Sequence, residues 1–276
     1  MSSTQPPRLL PSLPFSIKFE ISKVLQGVSR LERVNEQALV KMSNYLHTTL
    51  LYWLIHGCGK YVFQFKQQQQ HREESTTDQE SVSVVNVKTL IEDYLRDLKQ
   101  EQIDSKKGNF HEDLEEGKET PTQKESEPIV VFASLNDFIH QLTLQCITPD
   151  LKLHAQSEAL KATCKMKSLL LESSNDEALS SIHKTLHLSF AAKNVQSFLD
   201  SYFVFNDQAF KEKVEVLEVH AALTAMLEYL SAEIMELSSS HAQSSVVTEE
   251  LSVEHLQKGV LSDPALLDMP YSILLL

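Results

Sequence analysis

The stretch Val219 to Leu237, VHAALTAMLEYLSAEIMEL, constrains this chain more than any other. Val219, Leu223, Met226, Leu227, Leu230, Ile234 and Leu237 recur every three or four residues, which predicts one apolar stripe on a helix of about five turns. Glu228, Glu233 and Glu236 fall on the opposite face. Most of the stability of such a helix comes from packing its stripe against other elements. The rest of the chain supplies them. It holds only 6 Gly and 9 Pro among 276 residues, and its long runs of 3.6-residue period favour an all-α architecture over a sandwich or barrel.

Residues 1–14 form a Pro- and Ser-containing leader without periodicity. Ile17, Ile21, Val24, Leu25 and Val28 then predict a short helix with Gly27 near its end. A polar turn, SRLERVN, leads to a longer helix from about Glu36, whose stripe runs through Ala38, Leu39, Met42, Tyr45, Leu46, Thr49, Leu50, Trp53 and Leu54. Gly57 and Gly59 mark its exit or kink. Residues 67–127 change character. They are Gln-rich, then acidic and lysine-bearing with few apolar residues, the composition of a partly disordered insertion. Within them Val82 to Leu98 has a short alternating run, a cap at Asn86 and a helical stripe.

From Pro128, IVVF reads as extended, Ser134 as a cap, and Leu135, Phe138, Ile139, Leu142 and Leu144 as a helix ending near Cys146. A further helix is predicted from about Asp150 to Leu171, with Pro149 in its first turn. Residues 172–188 are a polar connector. Phe190, Val195, Phe198, Leu199 and Tyr202 then predict a short helix, VFNDQAFKEK a loop, Val219 to Leu237 the long helix, SSHAQSSVVTEEL a second loop, and residues from about Val253 a last helix. The terminal MPYSILLL is expected to dock on this protein or on a partner.

Three separate stretches carry a resemblance. K-V-L-Q-G-V followed by A-L-V-K-M-S-N-Y-L-H resembles the first and central helices of the 2B-type histone. His154, Ala155, Ser157, Glu158, Lys161, Ala162 and Lys165 stand in the pattern H-A-x-S-E-x-x-K-A-x-x-K, similar to that histone's C-terminal helix. L-T-A-M-L-E-Y-L-S-A-E-I-M-E-L resembles the central helix of the 2A-type histone, with F-A-A-K-N-V-Q-S-F-L before it and E-H-L-Q-K-G-V-L-S-D-P-A-L-L after it.

The resemblance implies two tandem histone folds in one chain, a 2B-like half over residues 15–171 with its insertion at 67–127, and a 2A-like half over 189–276. They would form an intramolecular handshake, a pseudo 2A/2B dimer. Residues 82–98 and 130–145 both have the form of the third helix of the first half. The second is preferred because it directly precedes the C-terminal helix. The order of halves, without basic tails, is similar to the N-terminal histone-like module of ankyrin-repeat BTB/POZ proteins, where it precedes ankyrin repeats and a BTB domain, neither of which is in this sequence.

The net charge is −13, and no arginine follows Arg96. Wrapping duplex DNA relies on lysine and arginine against phosphates. At positions where the 2A-type family has first-helix arginines, this chain has Asn194 and Ser197. In place of a basic second loop it has Thr248, Glu249, Glu250 and Glu254. Lys23, Arg30, Arg33, Lys193 and Lys213 remain as weak DNA contacts, alongside Lys161 and Lys165.

The acidic face is better kept. Glu228, Glu233, Glu236 and Asp263 match the family's acidic-patch positions, whereas Pro264 and Ala265 replace two others. A carboxylate cluster can clamp an arginine or lysine of a partner; as a helix face it is otherwise merely solvated.

Nothing points to an enzyme, a cofactor or a small-molecule substrate. His183 and His187 are four apart but lack a third metal ligand of fixed spacing, and Gly57-Cys58-Gly59-Lys60 lacks the strand and spacing of a phosphate loop. Cys58, Cys146 and Cys164 form no C-x-x-C pair and read as reduced thiols in an intracellular compartment. The N-terminal stretch lacks the features of a signal peptide. The apolar run from Leu46 to Phe63 is broken by His47, His56 and Lys60, so no membrane span is expected. The expected function is a non-enzymatic protein-interaction module, binding basic peptides or other histone-fold proteins, with a nuclear location. The alternative is a divergent chromatin component that binds histones or DNA.

Overall fold

The computed structural model describes residues 17–65, 93, 96, 100, 130–172, 186–245 and 250–276. The leader, nearly all of the 67–127 insertion, most of the 172–188 connector and His183 lie outside the described residues, as does Val82 to Leu98 apart from Asp93 and Arg96. The described part is mostly helical. Its elements are α1 (Lys18–Val28), β1 (Arg33–Val34), α2 (Glu36–His56), α3 (Gly59–Val62), β2 (Phe63–Phe65), α4 (Leu135–Cys146), α5 (Pro149–Glu172), α6 (Ala192–Tyr202), β3 (Phe203–Phe205), α7 (Val216–Ser245), β4 (Glu250–Leu251), α8 (Val253–Ser262) and α9 (Pro264–Leu267). Single 3-10 turns lie at Asp207–Ala209 and Ser272–Leu274.

Local chemistry sets several boundaries. The Asn35 side chain accepts the Gln37 N–H at the start of α2. Ser134 accepts the Asp137 N–H at 3.3 Å, while Asp137 accepts the Ala133 N–H at 3.1 Å, so α4 begins where the sequence placed its cap. At α8 the Ser252 side chain accepts the His255 N–H, and His255 accepts the Ser252 N–H in return.

The long helix α7 continues through Ser238 to Ser245, well past the Leu237 boundary read from the stripe. Its serines explain the extension. Ser238 donates to Ile234 O at 2.6 Å, and Ser239 and Ser240 donate to Glu236 O, so the hydroxyls are satisfied along the helix instead of ending it. Ser238, Ser239 and Ala242 are buried there.

Two short–long–short helix series, α1–α2–α4 and α6–α7–α8, interlock through their connecting segments. β1, ahead of α2, pairs in parallel with β4, behind α7. Phe132, ahead of α4 and so behind α2, bridges in parallel to Phe210, ahead of α7. In this second bridge the Phe132 N–H donates to Ala209 O at 2.8 Å and the Lys211 N–H to Phe132 O at 2.9 Å. Each bridge therefore joins the segment before one long helix to the segment after the other.

One large core spans both series, beside a smaller cluster of Ala162, Met166, Leu186, Ala192, Ala221 and Ala225. Met42, Leu46 and Leu50 from α2 and Met226, Leu227 and Leu230 from α7 belong to the large core, with Met42 and Met226 fully buried. At about 25 cal/mol per Å² of apolar surface removed from water, this shared interior is the main source of stability. Between α1 and α6, the Asn194 side chain donates to the buried Glu20 carboxylate at 2.6 Å, so Asn194 ties these two short helices together.

An addition to the helices lies at the second bridge. β2 and β3 form an antiparallel ribbon with Phe63 opposite Phe205. Phe63 meets Phe203 and Phe205 edge-on, Phe132 and Phe138 pack together and against Phe210, and His220 stacks on Phe63 at 5.9 Å. The loop VFNDQAFKEK thus holds a strand, a turn and a bridge.

The apolar end of the chain docks on the protein itself. Met269 and Leu275 are buried, Tyr52 meets Tyr271 edge-on at 5.5 Å, the Ser272 hydroxyl donates to Leu267 O, and the Gln257 amide donates to Leu276 O. Tyr271 adopts the left-handed conformation, φ 62°, to make that turn.

Candidate functional site: an acidic face

Residues four and seven positions apart on a helix share a face. On α7 this rule brings together Tyr229, Glu233 and Glu236. Beside them lie Asp263, at the junction of α8 and α9, and His154 and Glu158, which α5 presents one turn apart. His154 stacks on the Tyr229 ring at 6.1 Å. The site is thus assembled from three parts of the chain.

Its electrostatics are those of crowded carboxylates. Burial raises the pKa of Glu233, and the charges of Glu236 and Asp263 raise it further, against the lowering effects of a Tyr229 hydrogen bond and of His154. Burial likewise raises the Tyr229 hydroxyl, with Glu233, Asp263 and Glu158 adding to it. Each group makes ionisation of its neighbours costlier, the condition under which a bound cation is most favoured. Two members are held in place. Asp263 accepts the Ala265 and Leu266 N–H groups at 2.7 and 3.2 Å, capping α9, and Glu158 pairs with Lys161 at 2.6 Å.

Of the four acidic residues expected from the sequence, Glu233, Glu236 and Asp263 form this cluster. Glu228 has a different role. Its carboxylate accepts the Phe190 N–H at 2.8 Å, fixing the chain just ahead of α6. The position one residue before Tyr229 turns it about 100° around the helix, which is why it joins a neighbouring segment instead of the cluster. Tyr229, Glu158 and His154 were not expected here. His154 and Glu158 were visible as a pair four apart, but only the packing of α5 on α7 shows which face they present.

The basic residues expected to contact DNA form no comparable cluster. Lys23 is exposed with its ammonium 4.5 Å over the Phe19 ring, and Lys213 pairs with Glu215 at 3.1 Å. Arg33 lies in β1 directly opposite Glu250 of β4, and Arg30 and Lys193 are exposed. In the segments of the first bridge Arg30 and Arg33 alternate with Glu32, Glu36, Glu250 and Glu254, and Lys18 is paired with Glu36. Repulsion between these carboxylates and phosphate offsets the attraction of the cations.

Among the described residues no three His, Cys, Asp or Glu side chains are grouped to hold a metal ion, and no helix is long and apolar enough to cross a membrane. Comparison with protein-family models and with curated proteins gives no match.

Proposed function

We propose that this chain is a non-catalytic histone-fold pair, a 2B-like half clasped to a 2A-like half, that serves as an interaction module and receives basic segments of other proteins on its acidic face. The fold reading is supported by the short–long–short order of helices in each half, the reciprocal parallel bridges and the large core that spans both halves. The binding reading rests on one observation: the half-buried carboxylate of Glu233 crowded by Glu236 and Asp263 beside Tyr229. A lysine ammonium or arginine guanidinium placed there relieves that repulsion and gains charge-assisted hydrogen bonds. The histone likeness makes a nuclear location and histone-fold partners the natural setting. The chromatin reading, in which the pair grips duplex DNA, is less well supported, because the surviving cations are interleaved with carboxylates around both bridges.

The test is a fluorescence-anisotropy titration of the purified chain with an arginine- and lysine-rich peptide, in parallel with a duplex-DNA mobility shift over a range of salt. Binding of the peptide, weakened about tenfold or more by Glu233→Gln with Glu236→Gln, corresponds to at least ~1.4 kcal/mol. Peptide binding indifferent to that double change, or DNA binding that falls steeply with salt while the peptide is ignored, would overturn the reading.

A further inference from the structure

Two of the three cysteines lie near one another where α2 gives way to the ribbon. Gly57, at the end of α2, is pressed so closely on α4 that a methyl group there would lie 2.6 Å from Leu142 Cδ1 and 2.7 Å from Cys146 Sγ. Cys58 follows directly. Consecutive Cα atoms are about 3.8 Å apart, so the Cys58 Cα lies no more than about 8 Å from the Cys146 sulfur. Both residues are buried, Cys146 as the last residue of α4. Their mutual influence is felt in the Cys146 thiol, which burial, and then the charge of Cys58, push up to about 12.

The surroundings differ on the two sides of the pair. Cys58 lines a solvent-open groove of about 500 Å³, together with His56, Tyr61, Gln141 and Gln145. Cys58, only 4% exposed, forms part of the wall of this groove, the route by which a small oxidant would reach it. Bridgeable cysteines have Cα atoms roughly 4.4–6.8 Å apart, so closing the pair requires the Gly57–Gly59 bend to carry Cys58 towards the end of α4.

We propose that Cys58 and Cys146 are a redox pair, closed to a disulfide by a hydroperoxide and joining the exit of α2 to the end of α4. The Cys58 sulfur attacks one peroxide oxygen, the O–O bond breaks, and a sulfenic acid and one water (or alcohol) form, the thiol proton leaving with that product. The Cys146 sulfur then attacks the Cys58 sulfur. The S–O bond breaks, and the departing hydroxide takes up the Cys146 proton as a second water. The two thiols lose two electrons in all, and the peroxide gains them. Cys58 acts first because it lines the groove, and Cys146, beside it at the end of α4, resolves the intermediate by giving up its proton as its sulfur attacks, a step that its burial slows. The bridge would span both ends of the insertion, restricting the chain between them.

The whole folded chain is exposed to hydrogen peroxide, quenched with iodoacetamide under unfolding conditions, digested without reductant and mapped by mass spectrometry. Expected is a peptide pair joined through Cys58 and Cys146 that is released by dithiothreitol and forms equally in Cys164→Ser. Exposed Cys164 serves as the internal control for oxidant delivery. Cys58 and Cys146 that both remain fully alkylated while Cys164 is consumed would overturn the proposal, as would bridges made through Cys164. In Cys146→Ser the Cys58 sulfenic acid should persist and be captured by dimedone; should that variant not fold, the wild-type map decides alone.

Discussion

His47 sits on α2 within the shared core, buried and stacked on Phe198 at 6.1 Å. Burial lowers its pKa from 6.5 to about 4. In the folded chain the imidazole is therefore neutral down to about pH 4, whereas in the unfolded chain it takes up a proton near pH 6.5. Above that value both states are neutral and the group has no effect on the balance. As the pH falls from 6.5 to about 4, only the unfolded state gains the proton, so stability is lost through that window and levels off below it. A separation of about 2.5 pH units at ~1.36 kcal/mol each is worth roughly 3 kcal/mol. Urea unfolding at a series of pH values, in wild type and His47→Leu, isolates this contribution. A constant offset from the new side chain cancels when the two slopes are compared. The expected result is a variant with a flatter stability profile between pH 6.5 and 4, by about 3 kcal/mol in total. Parallel profiles, or an imidazole resonance that titrates near 6.5 in the folded wild type, would refute the reasoning.

Three further outcomes concern close packing and the acidic face. A methyl at Gly259 would lie 2.5 Å from Ser238 Oγ and 2.8 Å from its Cα, against helix backbone that cannot give way. Gly259→Ala should cost about 2 kcal/mol in denaturant unfolding, the ~1 kcal/mol of helix propensity gained being outweighed by overpacking; an unchanged or raised midpoint would contradict the close crossing of α7 and α8. Glu228→Ala, which strips the Phe190 N–H of its acceptor, should lower stability by about 1–2 kcal/mol and leave basic-peptide affinity unchanged, the reverse of Glu233→Gln with Glu236→Gln. Asp263→Ala removes the cap of α9 and one carboxylate of the cluster, so both stability, by ~1 kcal/mol, and peptide affinity should fall.

The helices were legible because their apolar residues repeat at the helical period and their caps are local. Ser134 and Pro149 mark where α4 and α5 start, and both signals lie within one turn of the residues they organise. The continuation of α7 through Ser238–Ser245 was not legible, since serine runs read as loop until their hydroxyls are seen bonding back to the preceding turn. The β2–β3 ribbon depends on Phe63 and Phe205, far apart in sequence, being brought face to face, and no local pattern announces that. The candidate site divides in the same way. Glu233 and Glu236 could be placed from helical spacing, but the role of Glu228 depends on where Phe190 comes to rest, and the contributions of Glu158 and His154 depend on α5 lying across α7. The pairing of Asn194 with Glu20, 174 positions away, likewise depends on how α1 and α6 come together.

The shared interior is tested most directly by the chain's single tryptophan. Trp53 is buried in α2, in the first helical series, and Met226 is buried in α7, in the second. Met226→Ala should cost about 2–5 kcal/mol. If the two series form one cooperative core, the urea midpoint read from Trp53 fluorescence falls by as much as that read from far-ultraviolet circular dichroism, in one coincident transition. A Trp53 transition left in place while helix content melts earlier would mean that the two halves do not share a core.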